Sequence, residues 1–230
     1  MKLLYLHQYF KTPDMAGGTR SFEFARRLVK SGHEVHIISS WTEPTDQVGW
    51  FEQNIEGIHV HWLPNLYSNH MSFAERIKAF SRFAFEAGRR ARAVGGDVVF
   101  GTSTPLTIAI PGVRTAKKLR VPFVFEVRDL WPEMPIATGA LRHPLLKAIA
   151  RRLERYAYFN ADHIVALSPT MRDGVLKVRS DVDISVIPNS CDLDLFDFPK
   201  LSAGSFVDQH PELKGVPIVS YAGTFGQVNG

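Results

Sequence analysis

Short apolar runs alternate along the chain with longer segments whose apolar residues recur every three or four positions. Residues 2–6 are apolar and read as a strand, and after the loop HQYFKTPDMAGG, residues 19–31 have helical spacing at Phe22, Ala25, Leu28 and Val29 and stop at Gly32. Strands are predicted at 34–39 (EVHIIS) and 58–63 (IHVHWL), and a long helix over 72–93 that Gly95-Gly96 ends. A short buried strand follows at 97–100, then a helix over 105–119, interrupted or started late by Pro111. The remaining elements are a strand at 121–127, a helix at 144–159, a strand at 163–167, a helix at 169–178 and a strand at 184–187. Strands alternating with helices predict an α/β fold with a mainly parallel sheet covered by helices on both faces.

The pattern changes once. After VIPNSCDLDLF the chain becomes polar and rich in Pro, Gly and Ser, and then VPIVSYAG reads as a new buried strand leading into the glycine-rich TFGQVNG. The expected organisation is a Rossmann-like domain over 1–196, a linker over 197–215 and the start of a second domain over 216–230. A strand and glycine-rich loop normally feed a helix, so the sequence reads as the N-terminal part of a longer protein. Composition narrows the class. The 230 residues are 45% hydrophobic and 22% charged, as in ordinary globular proteins. The single cysteine, Cys191, rules out an internal disulfide framework and fits a reducing compartment. No apolar run approaches the ~20 residues of a membrane span, and the N-terminal one is too short for a signal peptide.

Charge adds a partner. The net +4 is concentrated in two segments: 72–93, with six basic residues against Glu75 and Glu86, and 142–155, with five against Glu154. Two basic patches on a neutral-to-acidic body suit phosphate, nucleic acid or a lipid surface. At about 100° per residue, Phe73, Ile77, Phe80, Ala84, Ala87 and Ala91 form the expected core stripe of the long helix. Lys78, Arg82, Arg89 and Arg92 fall opposite it, around Phe85. That face suits an anionic membrane; a solvated face with Phe85 packed against a loop is the plainer alternative.

Ligands of an open parallel sheet sit beyond the carboxyl ends of its strands. Gly17-Gly18 follows the first strand, where bare backbone and a helix N-terminus suit a phosphate, and Arg20 could add a charge-assisted bond. A dinucleotide GxGxxG is absent. FEVRDLWPE places Glu126, Arg128, Asp129 and Glu133 beside Trp131, carboxylates for hydroxyls and an apolar plate for a sugar ring. Thr102 and Ser103 offer hydroxyls at another edge, while Thr104 suits a helix cap. Asp181-Val-Asp183 and Asp192-Leu-Asp194 are explained by turn chemistry rather than a metal. His59 and His61 share a strand face with no third ligand apparent, so a structural role is expected. Cys191 has no base partner and is rejected as a nucleophile.

These segments together resemble, end to end, the N-terminal domain of a GT-B-fold glycosyltransferase of family 4. HQYFKTPDMAGGTRSFEFARRLVKSGHEVHIIS is similar to its first strand, GG loop and first helix. FEVRDLWPE is similar to a segment of the subgroup that builds bacterial capsule, colanic acid and O-antigen. VIPNSCDLDLF resembles its interdomain motif PNGVD, with Ser190-Cys191 in place of Gly-Val, and VPIVSYAGTFGQVNG the first strand and loop of its C-terminal domain. The resemblance implies retaining transfer from a nucleotide-diphosphate sugar to a lipid-linked or lipopolysaccharide acceptor, with no cofactor, no metal and no nucleic acid. The departing diphosphate would help deprotonate the acceptor. It also implies that Gly17 and Gly18 face the donor diphosphate. Glu126 and Asp129 are the candidate catalytic carboxylates, and Arg20, Thr102, Ser103, Arg128, Trp131 and Glu133 the acceptor contacts. Gly101-Thr102-Ser103 stands where many members carry a donor-sugar histidine. The implied location is cytoplasmic, peripheral at the inner face of the membrane, and the chain alone is expected to be inactive. A non-catalytic sugar- or lipid-binding module and a GT-B-like sugar-nucleotide epimerase are the rival readings.

Overall fold

A computed structural model describes residues 1–66, 71–103, 105–190, 193 and 204–221. Met1–Asn189 and Ser190–Gly230 are two compact units. The first contains, in order, β1 (Lys2–Leu6), α1 (Arg20–Lys30), β2 (Glu34–Trp41), β3 (Phe51–Ile55), β4 (Ile58–Pro64), α2 (Phe73–Val94) and β5 (Val98–Thr102). A 3-10 turn (Leu106–Ile108), α3 (Ala109–Leu119), β6 (Phe123–Val127), α4 (Glu133–Ala137), α5 (Pro144–Phe159), β7 (His163–Ala166), α6 (Pro169–Leu176) and β8 (Ile184–Val186) complete it. The second holds α7 (Gly204–Gln209) and a 3-10 turn at Pro211–Leu213.

The strands form one sheet in the order β3-β4-β2-β1-β5-β6-β7-β8. All neighbours run parallel except the β3–β4 hairpin. This is the Rossmann-like α/β architecture expected. Alternation along β1 feeds both layers: Leu3 and Tyr5 pack with Phe22 and Ala25 of α1, and Leu4 and Leu6 with Phe83 and Ala87 of α2 and Val113 of α3. Strand order reverses between β1 and β5, which puts a crevice beyond their carboxyl ends.

Four local expectations are corrected. The hairpin strand β3 (FEQNI) has no apolar signal in the sequence, because its central residues are polar and exposed; it turns back at Glu56-Gly57, with positive φ of 50° and 82°. The helix predicted from 105 begins as the 3-10 turn, and Pro111 sits in the first turn of α3, where its missing N–H costs nothing. The core stripe of α2 is Ala79, Phe83, Ala87 and Ala91, while Ile77 is 47% exposed. The cause is a small-residue seam: a Cβ added at Gly88 would lie 3.4 Å from Pro111 Cβ, so α2 rolls its Ala/Gly side against α3. Residues 216–221 were expected as a buried strand; they join no ladder among the described residues and lie exposed. The start of α2 is as the sequence implies, with Ser72 and Glu75 closing a capping box.

Candidate functional site

The loops after β1, β5 and β6 meet at the reversal point. Arg20 opens α1 there. Its Nε and Nη2 both lie 3.0 Å from Glu126 Oε1. Its Nη1 donates to the Pro188 carbonyl at 2.8 Å and to Asn189 Oδ1 at 3.3 Å, and its Nη2 to the Ile187 carbonyl at 2.7 Å. Its guanidinium also lies 4.6 Å from the centre of the Phe24 ring. Arg20 is thus committed to protein acceptors, not held free for a phosphate.

Glu126 is the next-to-last residue of β6 and has 0% exposure. Its second oxygen accepts from Thr102 Oγ1 at 2.6 Å, and its backbone carbonyl from Ser103 N at 2.8 Å. Ser103 Oγ accepts from Arg128 N at 2.8 Å. Thr102 and Ser103 are buried and hold β5 to the turn after β6. This places three of the expected substrate groups, Glu126, Thr102 and Ser103, beneath the surface of the site. Thr104 lies outside the described residues.

The exposed layer is different. Gly17 (φ 143°) and Gly18 are open, and a Cβ added at Gly18 would lie 3.8 Å from Arg128 Nη2. The Gly-Gly backbone and the Arg128 guanidinium therefore face each other. Asp129 and Glu133 are exposed and Trp131 is 37% exposed. Glu133 lies 3.7 Å from Arg151 of α5.

His7 and Gln8, directly after β1, carry no motif in the sequence. Both are buried. His7 Nε2 is 3.4 Å from Arg128 Nη1, and burial with the Arg128 charge pulls its pKa down to about 3. His7 is therefore neutral near pH 7, with its Nε2 lone pair towards Arg128 and its proton on Nδ1. His7 Nδ1 and Gln8 Nε2 are buried with no hydrogen-bond partner among the described residues. The available signal was polar residues placed immediately after an apolar first strand, where the carboxyl edge lies.

Away from this edge, Lys78, Arg82 and Arg89 are exposed on α2, with Phe85 63% exposed among them. Arg89 lies 5.8 Å from the Phe85 ring centre and 3.6 Å from Glu86. Phe85 is not packed under a loop. Arg92 departs from the expected cluster: it is half-buried, its Nη1 3.2 Å from the point where a Gly88 Cβ would stand. Asp181 Oδ1 is bonded to Arg179 Nε. Cys191, Asp192 and Asp194 lie outside the described residues. Among the described residues no helix is long and apolar enough to cross a membrane.

A family model described as a glycosyl transferase 4-like domain matches residues 16–190. A probable glycosyltransferase, WbjE of Pseudomonas aeruginosa, is 28% identical over 172 residues, which cover 73% of this chain and 42% of that protein. The chain thus spans less than half of that curated relative. Among solved structures, a sucrose-phosphate synthase from Thermosynechococcus elongatus matches with a TM-score of 0.62 at 13% identity, over 88% of this chain and 53% of that one. An E. coli trehalose-6-phosphate protein bound with UDP-2-fluoro glucose gives 0.62 at 11%, over 93% and 55%. Anabaena HepE in complex with UDP-glucose gives 0.52 at 16%, over 93% and 50%. At these identities the likeness is one of fold.

Proposed function

The chain belongs to the glycosyl transferase 4-like family of GT-B-fold glycosyltransferases, and from that premise we propose that it forms the acceptor-side half of a retaining glycosyltransferase. The donor is a nucleotide-diphosphate sugar. The acceptor is lipid-linked or lipopolysaccharide, in bacterial surface-polysaccharide synthesis at the inner face of the cytoplasmic membrane. The observation that carries the reading is the exposed layer at the strand-order reversal, where Gly17-Gly18 faces Arg128 with Asp129 and Trp131 on the same loop. Relatives of the same fold bound to UDP-glucose and UDP-2-fluoro glucose support the donor class.

In this reading the Gly17-Gly18 backbone approaches the donor diphosphate and Arg128 offers it a positive charge. Asp129 and Glu133 accept from sugar hydroxyls and Trp131 covers an apolar ring face. His7, neutral and behind Arg128, keeps that guanidinium forward without competing for the anion. Glu126 is a positioning residue: it fixes Arg20 and, with Thr102, the level of the loop. The acceptor proton leaves with the departing diphosphate, so no buried carboxylate has to act as base.

The membrane side of the proposal rests on Lys78, Arg82, Phe85 and Arg89, with Arg92 set back from them. Lys78 and Arg82 also border an open cavity of about 660 Å³ at the carboxyl ends of β2 and β4, lined by Val48, Leu66 and Met71 among others. Glu43 and Glu75 line the same cavity and balance the two cations, so what it offers a lipid-linked acceptor is its apolar wall.

The test uses the product of the full-length gene. Purified enzyme is mixed with membrane lipid extract and a panel of labelled nucleotide-diphosphate sugars, and label in the lipid fraction is counted. Transfer from one donor is expected. Asp129→Asn should lower kcat/KM by ~10²-fold, the scale of one lost charged hydrogen bond. No transfer from any donor with any lipid fraction would overturn the reading.

A further inference from the structure

Three histidines and a glutamate share one face of the sheet near the N-terminal ends of β2 and β4, at the other end of the strands from the loops above. Glu34 and His36 stand at i and i+2 on β2, and the ladder pairs His36 directly with His59 on β4. The His36 and His59 rings stack with centroids 4.6 Å apart and planes 12° from parallel. One ligand atom from each of Glu34, His36 and His59 lies within 4.8 Å of the other two. The separations are set by two hydrogen-bonded strands, not by a loop. Glu34 is exposed and His59 half-exposed, so the triangle opens to solvent on one side.

We infer that Glu34, His36 and His59 form a binding site for a divalent transition metal, with zinc as the best match. Two imidazoles and one carboxylate with an open fourth position make up a zinc ligand set at bond lengths of ~2.0–2.2 Å. Imidazole donors select against calcium and magnesium, which prefer oxygen. The stacked rings must tilt out of parallel for both lone pairs to reach one centre.

For His36 the surroundings supply the backing that a metal-bound histidine needs. His36 Nδ1 lies 2.9 Å from His61 Nε2, and His61 Nδ1 lies 3.5 Å from Glu52 Oε1. In the metal-free arrangement Arg90 Nε donates to His61 Nδ1 at 3.1 Å. That puts the His61 proton on Nε2, towards His36, and leaves the His36 proton on Nε2, donated to Glu34 Oε1 at 2.7 Å. Metal at His36 Nε2 reverses the chain. His36 then donates from Nδ1 to His61 Nε2, and His61 from Nδ1 to Glu52, which requires the Arg90 guanidinium to swing its N–H groups off His61 while it keeps its ion pair with Glu52. Each imidazole carries one proton before and after, so the switch moves no net proton. Lys2 Nζ, 3.2 Å from Glu34 Oε1, competes with the metal and holds the affinity down.

The test needs no transfer reaction, so it stands or falls apart from the proposed function. Tag-free, chelator-treated protein is titrated with ZnCl2 by calorimetry, and with Co2+ by visible absorption. A single equivalent should bind in the micromolar range or tighter, with the Co2+ spectrum of a tetrahedral site. His59→Ala and Glu34→Gln, both outside the core, should each weaken binding at least ~10-fold. Glu52→Gln should weaken it ~10-fold as a positioning residue. His163→Ala, whose ring bonds Ser185 on the far side of the sheet, should bind as wild type does. Wild-type protein that takes up no zinc at about 100 µM, or His59→Ala and Glu34→Gln variants that both bind as tightly as wild type, would overturn the site.

Discussion

Arg20 and Glu126, 106 residues apart, meet with the arginine Nε and Nη2 both 3.0 Å from one carboxylate oxygen. The Arg20 side chain is 8% exposed and that of Glu126 0%. Through the carbonyls of Ile187 and Pro188 the same guanidinium also reaches the segment after β8. One side chain thus fixes the start of α1, the end of β6 and the exit of the unit. Removing one partner of such a pair leaves an uncompensated buried charge, which costs about 3–5 kcal/mol. Glu126→Gln keeps the shape and should lower the unfolding free energy by that amount in urea titration. A loss below about 1 kcal/mol would mean that the carbonyls alone hold Arg20.

Gly18 is a cleaner probe of the edge than Gly17. Gly17 has φ of 143°, and a Cβ there would come 2.9 Å from Lys11 Cγ, so substitution strains the backbone. Among the described residues a Cβ at Gly18 meets only Arg128 Nη2, at 3.8 Å. Gly18→Val should therefore fold with stability within about 1 kcal/mol of wild type, while its branched side chain displaces Arg128 and blocks the glycine backbone. A misplacement of this kind costs ~10²-fold in kcat/KM. Thermal unfolding and transfer kinetics on the full-length enzyme check the two halves; near-normal transfer would show that ligand does not approach here.

Glu154 makes stability depend on pH. It lies buried on α5, and burial first, then the Glu133 charge, raises its pKa from 4.5 to about 7. The folded state therefore holds a proton that the unfolded state releases between these values. The stabilisation is fully present below pH ~4.5 and is lost as pH rises through about 7. The full swing is on the order of 3 kcal/mol. Glu154→Gln, which stays neutral, should be more stable than wild type at pH 8 and lose this slope. Parallel pH–stability curves for the two proteins between pH 5 and 8 would rule the effect out.

The sequence shows the sheet because buried parallel strands are continuous apolar runs, so seven of the eight strands could be read from it. It hides β3, whose polar central residues carry no such signal. It also misleads about the first half of α2: Ala87 and Ala91 are core as expected, but close packing at Gly88 against α3 rolls Ala79 and Phe83 inwards and leaves Ile77 exposed. FEVRDLWPE is visible as a cluster of charges, but not how it divides. The strand period lasts through Val127, so Glu126 turns inwards to Thr102 and Arg20, and Arg128 and Asp129 fall on the loop beyond it. The partners that settle this, Arg20 and Thr102, are distant in sequence. His7 is hidden for a related reason, since its neighbour Arg128 lies 121 residues away.

The outer face of α2 predicts salt-sensitive membrane binding. Lys78, Arg82 and Arg89 stand exposed around Phe85, whereas Arg92 turns back towards Gly88. Three cations at about 1 kcal/mol each near an anionic leaflet give ~3 kcal/mol, or roughly 10²-fold in affinity over neutral lipid. The Arg89–Glu86 pair is exposed and 3.6 Å long, and so does little to withhold Arg89 from the surface. Added salt should weaken the attraction, because screening acts over ~8–10 Å near physiological ionic strength. Co-sedimentation with anionic and neutral vesicles at low and high salt measures it. Replacing both Arg82 and Arg89 by Glu reverses the sign of the patch and should release the protein from anionic vesicles, with unfolding unchanged because both side chains lie outside the core. If wild type and double variant sediment alike, or wild type does not sediment at all, the face is a solvated one and the acceptor reaches the site without help from α2.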